Sequence, residues 1–291
     1  MAASTTRVLR RWAVAPYLGV AKPKGILPHL VTAATGAVLA AEGSPEPSRL
    51  GLTLLGGACL AGAANAFNSY LDCDIDALME RTSRRPLPSG RISPERTLVF
   101  GMGLGMLGVS ILSLFVNWQS ATLAVVAMFY YAAYTLFLKR RSFWAAVIGS
   151  GVGAMPPLIG WVSVTQRVEM TPIILSVIIV LWTLPHFWSL ATFRRRDFER
   201  AGLKVMPARG AAWWIIASSC LLVPASFVLA PVARLGSLYL IVASLLGGGL
   251  LGLAMTMVRR EPERDALRLY RYSILYIAVL FVAIMIGKLS S

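Results

Sequence analysis

Three polar residues, Asn68, Asp72 and Asp76, recur at every fourth position directly behind an apolar run from Leu50 to Ala64. On a helix this spacing makes one stripe that drifts by about 40° per step. Two carboxylates four residues apart repel each other, by a few tenths of a kcal/mol on an exposed helix. Beside lipid, where the dielectric falls, the repulsion is larger. A divalent cation removes it. Carboxylate and amide oxygens suit a hard ion, and Mg2+ typically takes one or two carboxylates and completes its shell with substrate phosphates. The stretch that follows, "RTSRRPLPSGR", brings Arg81, Arg84, Arg85 and Arg91, whose planar, multiply donating groups match phosphate oxygens. The plain alternative is a solvated helix end whose acids pair with those arginines. The asparagine on the same stripe and the adjoining membrane edge favour the metal. Asp74 and Glu80 fall off the stripe, and Asp74 is expected to pair with a neighbouring arginine. Asn65, one turn earlier and nearly in line, is placed as a donor behind the ligands.

A second constellation, "LPHFWSLATFRRRDFERAGLKVMPARG", runs from Leu184 to Gly210. It repeats the first in outline: an apolar helix, an Asp near its end, a basic loop, then Pro and Gly before the next helix. Setting Asp197 against Asp76 places Phe193 against Asp72 and Ser189 against Asn68. Such a weak internal repeat brings two similar loops to face one site. Only one carboxylate, Asp197, lies on the stripe of the second copy, so the first copy is expected to carry most of the metal binding.

These residues need a scaffold, and composition says what kind. The chain has 291 residues, 57% hydrophobic and 14% charged, with a mean hydropathy of +0.68; a soluble domain is about 25% charged. Apolar runs predict nine membrane helices, near 26–43, 50–71, 97–116, 120–138, 143–165, 171–193, 211–232, 235–257 and 272–288. Residues 1–291 then form a single membrane domain: a cytoplasmic segment 1–24 and an all-α bundle over about 25–288. Assigned to alternate sides, 24 of the 28 Lys and Arg fall on the side of the N-terminus, leaving Arg49, Arg167, Arg234 and Lys288 opposite. That asymmetry places the N-terminus in the cytoplasm and the C-terminus across the membrane. The net charge of +15 therefore reports topology, and no nucleic-acid partner is implied. The three cysteines, Cys59, Cys73 and Cys220, have no paired spacing, which disfavours disulfide or zinc chemistry.

The motifs "NSYLDCDIDALMERTSRRPL", "YTLFLKRR", "VIGSGVGAMPPLIGW", "LPHFWSLATFRRRDFERAG" and "LYRYSILYIAVLF" resemble the UbiA superfamily of intramembrane prenyltransferases, and most of all its heme-modifying branch. The likeness runs from about residue 22 to 282. It implies nine transmembrane helices around a central cavity, a bacterial cytoplasmic membrane, Mg2+ as cofactor and farnesyl diphosphate as donor. The acceptor implied is heme b, a substrate rather than a cofactor. A downstream heme-modifying enzyme or terminal oxidase assembly is implied as partner. Carried over by motif, Asn68, Asp72, Asp76 and Asp197 hold the metal, with Asp72, Asp76 and Asp197 as the catalytic acids. The substrate-contacting set is Asn65, Asn68, Arg81, Arg85, Arg91, Lys139, Tyr130, Tyr134, His186, Phe187 and Arg194.

The chemistry of an allylic diphosphate agrees with such a set. Its leaving group must be neutralised, and the resulting allyl cation must be kept dry among π surfaces. Each aromatic taken singly has a plainer role in lipid or core packing. His29 and His186 lie inside spans, where a polar group is a functional candidate; an interhelical hydrogen bond is the alternative. Two further readings stand beside heme farnesylation. One keeps the enzyme class but changes the acceptor to a quinone precursor, an aromatic ring or a chlorophyllide-like tetrapyrrole. The other is a transporter or heme-binding protein without transferase activity.

Overall fold

A computed structural model describes residues 14–142, 144–203, 210–258 and 262–289. Arg7, Arg10, Arg11, Lys204, Arg209, Arg259 and Arg260, all counted in the charge asymmetry, lie outside the described residues, as does the "VMPAR" portion of the second loop. The chain is an all-α integral membrane protein. Residues 14–21 are helical and lead into α1 (Pro23–Ala40), followed by α2 (Pro47–Leu71), α3 (Cys73–Leu78), α4 (Pro94–Phe115) and α5 (Trp118–Ala133). A π-helical turn, Tyr134–Leu138, prolongs α5. Then come α6 (Ala145–Gly153), α7 (Met155–Thr165), α8 (Met170–Phe193), α9 (Arg195–Arg200), α10 (Ala211–Ala233), α11 (Ser237–Thr256) and α12 (Pro262–Leu289).

Among the described residues, eight helical stretches are long and apolar enough to cross a bilayer. The ninth expected span is present as α1, but Lys24, Pro28 and His29 lower its hydropathy and it is not one of the eight. The expected span 143–165 is two half-helices. Pro156 and Pro157 have no N–H to continue the ladder, so α6 stops at Gly153 and α7 starts afresh. The Ala154 carbonyl at the break is met by the Ser176 hydroxyl of α8 at 2.8 Å, the kind of substitute partner that a membrane interior demands. The last helix begins ten residues before the expected 272. Its first turns carry Glu263, Arg264, Asp265 and Arg268, which an apolar window rejects although such residues form helix well.

Small residues let the backbones close on one another. A Cβ on Gly160 would lie 1.9 Å from the Ala33 carbonyl oxygen, and one on Gly36 would lie 2.2 Å from that of Pro157, so α1 and α7 touch backbone to backbone. Gly56 and Gly108 do the same for α2 and α4. At the end of α7, Asn117 donates to the Val162 and Ser163 carbonyls, each at 3.1 Å, while its own oxygen caps α5 at Ser120 N. Around α8, α10, α11 and α12 a dense core forms on Trp188, Leu175, Ile178, Leu222, Tyr276 and Phe281. These contacts fix α2 and α8, whose ends carry the two constellations, on opposite sides of a shared space.

Candidate active site

Helix α2 ends at Leu71, and Asp72 is a hinge with φ −102° and ψ 11° before the six-residue α3. The i to i−4 hydrogen bonds nevertheless run on through the hinge, from Asp72 N to Asn68 O and from Asp76 N to Asp72 O. The Asn68, Asp72, Asp76 stripe therefore survives as one face. Helix α8 ends in the same way. Arg194 is its hinge, with φ −106° and ψ 27°, and α9 also has six residues. The internal repeat is thus a structural one, but its register differs by one residue from the expected alignment. The hinges set Arg194, not Phe193, against Asp72, so Phe198 answers Asp76 and Asp197 answers Ile75. Sequence matching had followed the carboxylates, whereas backbone geometry follows the hinge.

Asp72 and Asp76 are buried, at 5% and 3% exposure. Asp72 Oδ2 accepts hydrogen bonds from Asn68 Nδ2 and Lys139 Nζ. Asp76 Oδ2 accepts from Arg85 Nη1 at 2.7 Å, and Thr82 Oγ1 ties down the Asp76 carbonyl at 2.8 Å. Lys139 reaches Asp72 because the π turn adds a residue to the helix just before it, closed by Lys139 N to Tyr134 O at 3.1 Å; such insertions recur at functional sites. Asp74 turns away from the stripe as expected. Its partner is not an arginine of the following loop but Arg140, which binds it through two nitrogens at 2.7 and 2.8 Å and also reaches the Leu71 carbonyl. That hydrogen-bonded pair holds the Asp74 carboxyl below its ordinary pKa.

Lys22, counted above only toward topology, is a fourth cation of the site. Its Nζ donates to Asn68 Oδ1 at 3.2 Å. Its backbone takes the left-handed φ of 52°, rare without a glycine, and Asn65 Nδ2 steadies the turn through the Ala21 carbonyl at 2.8 Å. Burial, with Arg85 and Lys139 nearby, pushes the Lys22 pKa down to about 8, against the pull of Asp76 and Asp72. The one sequence signal for it was the Lys-Pro pair directly before the first span. Arg81 is likewise lowered by burial and by Arg85, with Asp76 and Asp197 opposing.

Asn68, Asp72, Asp76, Arg81, Arg85, Tyr134, Lys139 and Phe187 line a single cavity, with Phe198 of α9 also on its wall. Behind it, deeper in the bundle, lies an apolar cavity between α1, α2, α5 and α7. Asn65, His29 and Tyr131 stand on its wall among Leu60, Ala61 and Met128. Asp197 and Arg194 open onto a third, polar cavity with Glu80, Arg196 and Arg200. Two steps in the chain, Glu80 to Arg81 and Asp197 to Phe198, pass from that cavity to the first, so the two share a wall. Three of the expected substrate contacts do not line these three cavities. Arg91 spends its donors on Ser89 Oγ and the Arg84 carbonyl. Tyr130 donates to the Ile148 carbonyl at 2.5 Å. His186 bonds Ser273 on α12.

A metal can be tested against what the acids leave free. Asp72 Oδ1 and Asp197 Oδ2 are buried with no hydrogen-bond partner, and orphaned hard oxygens of this kind fit a divalent cation. Among the described residues no three His, Cys, Asp or Glu side chains converge, so the ion would draw the rest of its shell from amide, substrate and water. That is the habit of Mg2+.

An anionic head held by four cations, with a long apolar tail running on into the membrane, is the substrate that these adjoining chambers suit. The UbiA prenyltransferase family model matches residues 29–285, and the chain belongs to that family. A relative from Symbiobacterium thermophilum named protoheme IX farnesyltransferase is 41% identical over 280 residues, covering 94% of each chain. One of the same name from Gloeobacter violaceus is 39% identical over 279 residues, covering 94% of this chain and 92% of the relative. Among solved structures, digeranylgeranylglyceryl phosphate synthase superposes with a TM-score of 0.80 at 17% identity, over 96% of this chain and 99% of the other. A UbiA homologue from Archaeoglobus fulgidus bound to GPP and Mg2+ gives 0.64 at 16% identity, over 92% and 99%. These two share the fold.

Proposed function

We propose that the chain transfers the farnesyl group of farnesyl diphosphate to a vinyl group of heme b, giving heme O. The observation that carries the chemistry is the buried Asp72–Asp76 pair, met by Lys139 and Arg85 and flanked by Lys22 on Asn68, beside an apolar cavity. The acceptor rests on the relatives' name and on their length-wide identity. The neighbour with GPP and Mg2+ supports a metal-bound diphosphate.

In this reading Asn68, Asp72 and Asp76, with Asp197 from the second loop, hold Mg2+, which neutralises charge on the departing diphosphate when bound. Lys22, Arg81, Arg85 and Lys139 bind the diphosphate oxygens through charge-assisted hydrogen bonds. The cations that now pair with the acids are then shared with the substrate. The farnesyl chain lies in the apolar cavity, whose wall is alanine, leucine, methionine and proline with few polar groups. Tyr134, between Lys139 and the α5 end of that cavity, offers a π face to the allylic carbons. The C1–O bond breaks with its electron pair leaving on diphosphate, and the vinyl carbon forms a bond to C1. Water adds to the cation next to the macrocycle and a proton is lost. The site end of the bundle faces the cytoplasm, where farnesyl diphosphate is soluble and where the basic loops lie.

Incubating the purified chain in lipid with farnesyl diphosphate, heme b and Mg2+, then weighing the pigment, tests the reading. A gain of farnesyl plus water on heme supports it. Mg-dependent diphosphate release only with another acceptor moves the assignment within the family, and no release with any acceptor removes it.

A further inference from the structure

The half-helix α6 holds two tyrosines of α5 and its π turn, and it approaches both through glycine. Tyr130 donates from its phenol to the Ile148 carbonyl at 2.5 Å, and a Cβ on Gly151 would lie 2.9 Å from that phenol oxygen. One turn along, the Tyr134 ring comes closer still. A Cβ on Gly149 would lie 2.5 Å from its Cζ, 2.7 Å from its Cε2 and 2.8 Å from its hydroxyl oxygen. Ordinary van der Waals contact begins at 3.4 Å, so a methyl group at residue 149 requires the ring or α6 to give way by about 1 Å. Retreat of α6 is opposed on two sides. The Tyr130 bond ties it to α5 one residue before Gly149, and at its far end the Ala154 carbonyl is held by Ser176 of α8 at 2.8 Å. The ring is what yields.

That ring stands where the two chambers meet. Three elements pass from the wall of the polar cavity to the wall of the apolar one. On α2 the passage falls between Asn68 and Asn65, on the α5 side between Tyr134 and Tyr131, and on α6 between Ala146 and Val152. Gly149 is the midpoint of the third. The two tyrosine rings at the second are 6.4 Å apart between centroids and tilted by 40°, one on each cavity. These three elements frame a throat. A donor whose diphosphate lies on Arg85 and Lys139 must thread its chain through it. A Tyr134 ring pushed off Gly149 has the cavity that it lines as the free volume open to it, so it moves into the path of that chain.

We propose that Gly149 is a positioning residue that sets donor specificity: by carrying no Cβ it seats Tyr134 against α6 and keeps the throat wide enough for a methyl-branched chain. This rests on the prenyl-donor reading above and adds to it the contact that selects the chain's girth. Gly149 acts through the Tyr134 ring and does not touch the substrate. An unbranched chain is thinner and needs less of that width. Diphosphate alone stays on the polar side and needs none. Gly151 makes the same kind of approach to Tyr130, which lines neither cavity, so its role ends at packing.

Steady-state diphosphate release by the full chain in proteoliposomes, with farnesyl diphosphate, heme b and Mg2+, is the test. Gly149→Ala should raise the KM for farnesyl diphosphate by about fivefold or more, the equivalent of the smallest cost of overpacking a well-packed site. The inhibition constant of inorganic diphosphate should not change, which also reports an intact polar cavity. That of an unbranched alkyl diphosphate of the same main-chain length should rise less than the farnesyl KM. Gly151→Ala should lower the unfolding temperature and leave the KM alone. In Tyr134→Ala, where the ring is gone, adding Gly149→Ala should raise the KM no further. An unchanged KM in Gly149→Ala overturns the proposal. So does an equal rise in Gly151→Ala, an equal rise for inorganic diphosphate, or a rise that persists without the ring, each of which marks packing. If Gly149→Ala alone does not fold, the double variant decides: a recovered fold with the KM of Tyr134→Ala supports the contact, and continued unfolding overturns it. A wild-type chain that releases no diphosphate with any acceptor removes the donor reading itself, a result distinct from these.

Discussion

Asp72 and Asp74 are two residues apart, both paired with a cation, and the account assigns them opposite weights. The Asp72 side chain is 7% exposed and shares Oδ2 between Asn68 and Lys139, with Oδ1 left free. Asp74 is 67% exposed and pairs with Arg140 on the outside of the hinge. Asp72→Asn keeps the shape and removes the charge. If that charge helps hold the Mg2+ that neutralises the leaving diphosphate, its loss resembles removal of one preorganised electrostatic group, about 10²–10³ in turnover or roughly 3–4 kcal/mol. Stability should move far less. Stranding a fully buried charge costs about 3–5 kcal/mol, but the Lys139 side chain keeps 24% exposure and can reach water, so about 1–2 kcal/mol is expected. Asp74→Asn breaks an exposed pair worth about 0–1 kcal/mol, which leaves turnover within about fivefold. Initial rates of farnesylated heme in proteoliposomes, beside thermal unfolding of the same preparations, read both quantities. Equal rates in the two variants, or an Asp72→Asn protein that is inactive only because it is unfolded, would refute the reasoning.

Further outcomes follow from other parts of the site. Chelating divalent cations should stop diphosphate release and Mg2+ should restore it, measured as phosphate after coupled pyrophosphatase. Lys22→Met should raise the KM for farnesyl diphosphate by about tenfold or more, since a charge-assisted hydrogen bond contributes about 1.5–3 kcal/mol; an unchanged KM would remove Lys22 from the diphosphate site. Gly57→Phe should shift preference from farnesyl toward geranyl diphosphate, because the glycine borders the apolar cavity with only Leu30 in ordinary contact; competition between the two donors reads it. Gly160→Ala should lower the unfolding temperature, because its Cβ would meet the Ala33 backbone and overpacking costs about 1–3 kcal/mol.

Much of this was legible in residue order. Hydropathy located the spans because lipid demands apolar runs, and the Asn68, Asp72, Asp76 spacing marked one face that the hinge at Asp72 did not disturb. Departures from regular geometry were not legible. The π turn that delivers Lys139 leaves no trace in periodicity. The break at Pro156 and Pro157 looks in sequence like a tolerated membrane proline. Partners distant in the chain were also hidden: Lys22 on Asn68, Arg140 on Asp74 and Ser273 on His186 each join elements dozens of residues apart. The second loop misled in register because acids were matched to acids. Its hinge at Arg194 puts Asp197 on the neighbouring cavity and Phe198 on the shared one.

The most direct measurement is a structure of the chain in lipid with Mg2+ and a non-hydrolysable farnesyl diphosphate analogue. The account predicts the metal on Asp72 Oδ1, the diphosphate against Lys22, Arg85 and Lys139, and the isoprenoid in the cavity lined by Leu60, Ala61 and Met128. A diphosphate bound away from those cations, with Asp72 still paired to Lys139 and the apolar cavity empty, would contradict it.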